Sequence, residues 1–312
     1  MSRFGPTSDR HRRLGSVVPA PFDDLAWGAG ELAARVNAIF ASPSYRPPTL
    51  PQVALEVISL SHRRDVDFKH IAEMVERDPV MAARLLQVAN SAAYRGSLPT
   101  RTMRDAVQRL GLSALRDLIL AEAMSMRVFR AGGGYAVALD ELRLHSMATA
   151  HLSRLVAGET SIDVEYAFLC GLLHDIGLAA ILLATGDVSL GKKLPALDLL
   201  WPVAEEAHAV VGGQVARMWS LPPDVALVIE QHGRVEVDGR LHPLVAAIQI
   251  AEELAMASGV GLLPKLAGGF AYAEFDRLDP AQLALARQAL GVDDATMARL
   301  LDGAARVVAE LV

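Results

Sequence analysis

With 312 residues, 52% of them apolar and 21% charged, the chain is long enough to bury a core and too apolar to be disordered. Acidic residues outnumber Lys and Arg by 36 to 30, a formal charge of −6, which argues against the basic surface of a general nucleic-acid binder. Cys170 is the single cysteine, so no intramolecular disulfide can form and a cytoplasmic location is expected.

The opening MSRFGPTSDRHRRLGSVVPA carries charge but no apolar run of signal-peptide length. The most apolar runs, such as Gly177–Ala184 and Leu244–Ala251, fall far short of the ~20 residues of a membrane span, so no membrane partner is expected. Residues 1–45 read as an N-terminal extension, a polar tail with an Arg10, Arg12, Arg13 cluster, followed by a helix between Asp24 and Phe40.

From residue 46 the pattern is helical. Val53, Leu55, Val57, Ile58 and Leu60 suit a buried helix with Pro51 in its first turn. Asp67 is placed to cap FKHIAEMVER, and Asp78 with Pro79 marks the next start, N-cap followed by first helical position. In VMAARLLQVANSAAY a stripe of Ala82, Leu85, Leu86 and Ala89 faces inward, and Gly96 and Pro99 end the run. Arg101 or Thr102 leads into MRDAVQRLGL, and Ser113 is placed to cap ALRDLILAEAMSMRVF. Residues 131–135, AGGGY, form an inter-helix break, because three glycines resist a helix.

Beyond the break, Leu139–Val156 is a long helix with His145 and His151, followed by the apolar FLCGLLHDIGLAAILLA, residues 168–184. A helix near Trp201–Met218 carries His208, one at Pro223–Gln231 precedes His232, and one at 242–257 holds Glu252 and Glu253. Asp279-Pro280 and Asp293 or Asp294 start two last helices. With no strand signal, the expectation is an all-α, two-lobed helical bundle: a first lobe at 46–130, a second at 135–260, and C-terminal helices at 261–312 packing on them.

His174 and Asp175 interrupt an otherwise apolar stretch. Burying them without partners costs roughly 2–7 kcal/mol for each polar group, so polar side chains or a metal must meet them. Read on one helix they point about 100° apart, and other helices must complete any shared site. His145, His208, His232 and Glu252 are the candidates, and an imidazole and carboxylate set suits Fe, Mn, Zn or Mg. Glu205 and His208 also have an i,i+3 spacing used by metal sites in bundles. Plainer readings fit other residues: Asn90 and Ser91 at a helix end, Trp201 and Trp219 in packing, Cys170 an inert thiol, His242 in a loop. His151 falls on another face than His145, and His62 and His70 have no evident partner.

The run His145…His174-Asp175, within LLHDIG, resembles the H…HD part of the HD metal-dependent phosphohydrolase superfamily. A narrower resemblance, to the HDOD domains (HD-related output domains) of bacterial signalling proteins, rests on Leu50-Pro51, Asp78-Pro79, Asn90, Ser91 and Tyr94, and AVQRLGLSALRDLIL with Gly111. Val211-Gly212, Trp219-Ser220-Leu221-Pro222 and Gln231-His232 extend it over residues 46–260. It implies an N-terminal helical lobe packed on an HD-like lobe, and a regulatory role through other signalling proteins, without catalysis. It also places His145, His174, Asp175, His208 and His232 where the related HD-GYP phosphodiesterases bind two metals. Three positions depart from those enzymes: Leu178 replaces a lysine, Gly233 a second histidine, and Glu252 the closing aspartate; no GYP-containing loop follows His232. The alternative is a metal-dependent phosphohydrolase or cyclic-dinucleotide phosphodiesterase with an atypical site and a cyclic dinucleotide or nucleotide ligand.

Overall fold

The structure is a computed structural model, and it describes residues 28–60, 68–94, 100–127, 134–186, 194–262 and 279–311. The Arg10–Arg13 cluster, Asp67, His62, Gly96, Pro99 and the glycines at 132 and 133 lie outside these residues. The expected all-α architecture is what forms. Helices α1 (Ala29–Ala41), α2 (Gln52–Leu60), α3 (Phe68–Glu76), α4 (Pro79–Ala89) and α5 (Met103–Arg127) come first. Then come α6 (Ala136–Gly158), α7 (Val164–Leu173), α8 (Ile176–Thr185), α9 (Leu197–Met218), α10 (Pro223–Gln231) and α11 (Pro243–Ala257), and last α12 (Pro280–Leu290) and α13 (Asp294–Leu311).

Local chemistry explains several of the starts. Asp78 accepts from the amides of Val80 and Met81, both at 3.1 Å, with Pro79 at the first helical position where no amide is needed. Asp163, Asp279 and Asp293 cap α7, α12 and α13 in the same way. Asn90 ends α4 and ties the chain beyond it: its amide donates to Leu86 O and Thr100 O, and its oxygen accepts from Thr100 N at 2.7 Å. Gly111 bends α5 with φ +77°, ψ 168°, a conformation that costs a side-chain-bearing residue about 1–3 kcal/mol.

Several expectations change in the fold. Ser113 caps nothing; its hydroxyl donates to Glu165 of α7 at 2.9 Å. Helix α9 starts at Leu197, before Trp201, and carries Pro202 inside it. His242 is the N-cap of α11, its Nδ1 accepting from Val245 N. Within GRVEVDGRLHP a small hairpin pairs β1 (Glu236–Val237) with β2 (Arg240–Leu241). Asp238 and Gly239 both take positive φ, as a two-residue hairpin turn requires; the Asp-Gly between Glu-Val and Arg-Leu was the available signal. Most consequential, residues 168–184 are not one helix: α7 stops at Leu173 and α8 starts at Ile176.

The buried apolar residues form two clusters. One cluster runs from Leu32 and Val36 of α1 through α2–α5 to Phe168, Leu182, Trp201 and Ile229. A second gathers the outer faces of α6 and α11 around α12 and α13, through Leu152, Ile250, Ala286 and Leu300. The segment Val164–Thr185 is long and apolar enough to cross a membrane by composition, but 89% of its window is buried between these clusters' helices.

Candidate metal centre

The break between α7 and α8 makes the site. His174 closes α7 in helical conformation, and Asp175 departs from it at φ −101°, ψ 18°. Asp175 sits at an N-cap position, where a carboxylate would ordinarily accept backbone amides, yet its side chain makes no cap bond. The carboxylate turns to His174 instead, Oδ2 lying 3.2 Å from Nε2. Adjacent residues that diverge on a continuous helix thus converge at a helix break.

The same carboxylate reaches three further histidines. Oδ2 lies 3.6 Å from His145 Nε2 of α6, and Oδ1 lies 3.6 Å from both His208 Nε2 of α9 and His232 Nε2 at the end of α10. The imidazoles pair off on its two sides, with Nε2–Nε2 separations of 3.3 Å for His145 and His174 and 3.1 Å for His208 and His232. Glu252 of α11 brings Oε1 to 3.4 Å from His174 Nε2. All six residues singled out from the sequence meet here. Of the Glu205-x-x-His208 pair only His208 enters the centre, Glu205 contributing its backbone carbonyl, and His151 packs edge-on against Phe168.

Backbone carbonyls fix the tautomers. His174 Nδ1 donates to Gly171 O at 2.7 Å, His208 Nδ1 to Glu205 O at 2.5 Å, and His232 Nδ1 to Ile229 O at 2.8 Å, each three residues back. His145 Nδ1 donates to Val260 O at 3.0 Å, from the turn beyond α11. A carbonyl only accepts, so each Nδ1 carries the proton and each neutral ring aims a bare Nε2 inward. Three of these partners follow from i−3 spacing. Val260 had no sequence signal, because it arrives through tertiary packing.

Burial and the neighbouring imidazoles set the charges. Burial, then His208, holds His232 down to about 3, and burial with His174 holds His145 down to about 4. Burial also opposes charge on His174, but Asp175 and Glu252 outweigh it and push that ring up to about 9. Burial likewise opposes charge on Asp175, yet His174 and the imidazoles beyond hold its carboxyl far below the usual range. Two neutral rings with facing lone pairs 3.1 Å apart repel unless a cation lies between them. Two donors about 2.1 Å from one ion at a tetrahedral angle stand about 3.4 Å apart, close to the 3.1–3.6 Å found here. The His145–His174–Asp175 and Asp175–His208–His232 groups each fit a metal ion, and Asp175 belongs to both.

The HDOD family model matches residues 48–235. The chain belongs to the HDOD family. A crystal structure of an HDOD domain protein from Geobacter sulfurreducens superposes with a TM-score of 0.64 at 24% identity, covering 90% of this chain and 98% of that one. A Marinobacter aquaeolei VT8 protein, named for a proposed signal transduction role, gives a TM-score of 0.66 at 20% identity over 91% of this chain and 64% of that one. Ribonuclease Y of Thermobifida fusca is 31% identical over 140 residues, 45% of this chain and 23% of that protein. The HDOD chain spans about two-fifths or less of the length of the curated relatives it matches.

Close backbone approach holds the HDOD centre together. A Cβ on Gly177, two residues after Asp175, would lie 1.9 Å from the carbonyl oxygen of His208, so only glycine lets α8 lie this near α9. Leu178, where the related hydrolases keep a lysine, is buried in the apolar core. Gly233, at their second histidine, is exposed with open space around it.

Proposed function

We propose that this HDOD protein is a signalling domain that binds divalent metal at His145, His174, Asp175, His208 and His232, and acts through contacts with other signalling proteins without turning over a substrate. One observation carries the metal reading: four buried imidazoles aim their Nε2 atoms in two pairs at the two oxygens of one carboxylate. The imidazole-rich set favours Fe, Zn or Mn over Mg. Glu252 stands ready to complete the shell on the side of His174.

Bound metal would supply Lewis acidity and an activated water. Hydrolysis of a phosphodiester also calls for a donor that stabilises charge in the transition state, and Leu178 brings none. The four histidines and Asp175 are each at most 9% exposed, which restricts a polymeric or dinucleotide substrate. Both features favour a structural or sensing role for the metal.

Metal analysis of protein purified after metal-replete expression tests this. One or two equivalents are expected in the native protein, lost in His174→Ala and Asp175→Ala; a metal-free native protein would sink the proposal. A metal-dependent phosphohydrolase is the second reading, favoured by the two ligand groups that share Asp175 and the stretch shared with Ribonuclease Y. Turnover of cyclic dinucleotides, nucleotides or RNA that disappears in both variants would replace the non-catalytic reading with it.

A further inference from the structure

Two antiparallel helix pairs present the histidines, and each is tied by an Arg–Glu pair on those same helices. In α6 and α7, Arg154 follows His145 by nine residues and Glu165 precedes His174 by nine, with Nη2 and Oε2 2.7 Å apart. In α9 and α10, Arg217 follows His208 by nine residues and meets Glu230, two before His232, at 2.6 Å. Nine residues at 1.5 Å each set Arg154, Glu165 and Arg217 about 13.5 Å along the helix from their histidines, whereas Glu230 stands only about 3 Å from His232.

The surroundings of the two ties differ. The side chains of Arg217 and Glu230 are 54% and 30% exposed, where an ion pair contributes little. Arg154 is less than one-quarter exposed, and its guanidinium lies 4.2 Å over the Phe168 ring. It forks onto Asp117 of α5 as well, Nη1 to Oδ2 at 2.6 Å and Nη2 to Oδ1 at 2.8 Å. Glu165 is held in turn by two further α5 residues, Arg116 at 3.3 Å and Ser113 at 2.9 Å. Three residues of one N-terminal helix therefore grip both helices that carry His145 and His174. A bidentate Arg–carboxylate pair fixes orientation as well as distance.

We infer that the Asp117–Arg154–Glu165 clasp is a positioning device through which the N-terminal helices set the metal affinity of the His145–His174–Asp175 half of the centre. The Asp175–His208–His232 half carries only the exposed Arg217–Glu230 tie. This rests on the metal reading above and extends it to regulation: a partner that shifts α5 changes one half of the centre and spares the other. Asp117, Arg154 and Glu165 are positioning residues, since none touches the cluster.

The test uses the full chain and Zn²⁺ alone, titrated by chelator competition. His145→Ala and His208→Ala assign each binding step to its half. Asp117→Asn is expected to weaken the first-half step about tenfold, in the range of outer-shell effects, and to leave the other within about twofold. Glu230→Gln, in the exposed tie, is expected to shift neither step by more than about twofold. Arg154→Lys keeps the charge, loses the fork and answers the question if Asp117→Asn fails to fold. Equal weakening of both steps by Asp117→Asn or Arg154→Lys, or of neither, overturns the inference. Amide exchange of the metal-free protein separates it from the metal reading. Asp117→Asn should speed exchange around His145 and His174, and exchange confined to the Arg154–Glu165 end overturns the coupling. A native chain that binds no zinc would overturn the metal reading while the exchange result still decides the coupling.

Discussion

Gly177→Ala tests whether helix proximity builds the centre. The new Cβ would sit 1.9 Å from His208 O and 2.7 Å from both His208 C and Gly212 N, all backbone atoms of α9 that no rotamer change can clear. Reaching an ordinary contact of about 3.4 Å requires α8 and α9 to part by about 1.5 Å. Asp175 Oδ1 and His208 Nε2 are 3.6 Å apart across that same boundary, and metal–donor distances tolerate only about 0.2 Å. The substitution should cost about 1–3 kcal/mol by overpacking and abolish the zinc step that needs both residues. Thermal unfolding and zinc titration would be run beside Gly158→Ala, at the exposed end of α6, where an added Cβ meets nothing within 4 Å. A Gly177→Ala protein that melts within about a degree of native and binds zinc alike would refute the claim that this approach places Asp175 beside His208.

Gly111→Ala, at φ +77°, should lower the urea unfolding free energy by about 1–3 kcal/mol; no loss would mean that α5 straightens at no cost. Cys170 is wholly buried, and burial with Asp224 nearby pushes its thiol up. It should resist a disulfide reagent at pH 8 until urea opens the fold, and reaction at a free-thiol rate would contradict the packing of α7. The metal-free protein should be most stable near pH 6.5. Below that value the unfolded chain takes up protons that His145 and His232, held at about 4 and 3, refuse. Above it, the stability from His174, raised to about 9, is lost as pH climbs through that value. Urea midpoints from pH 5 to 9 would show this maximum, and a flat profile would rule it out.

Much was determined by the sequence alone. Apolar periodicity, Asp78-Pro79 and Asp279-Pro280 announced helices because capping and the fixed φ of proline are local properties. The six polar residues of the centre stood out because charged and imidazole groups are costly in apolar helices unless something meets them. Tertiary structure decided how they meet. Adjacent His174 and Asp175 converge because the helix breaks between them, and no periodicity marks that break in a run apolar on every side. Val260 O and the Asp117–Arg154–Glu165 clasp are contacts between segments far apart in the chain, the clasp joining residues up to 48 apart and His145 to Val260 spanning 115. Spacing rules describe neighbours on one helix; which face of another helix arrives, and at what distance, is set by packing such as that of Gly177 against His208.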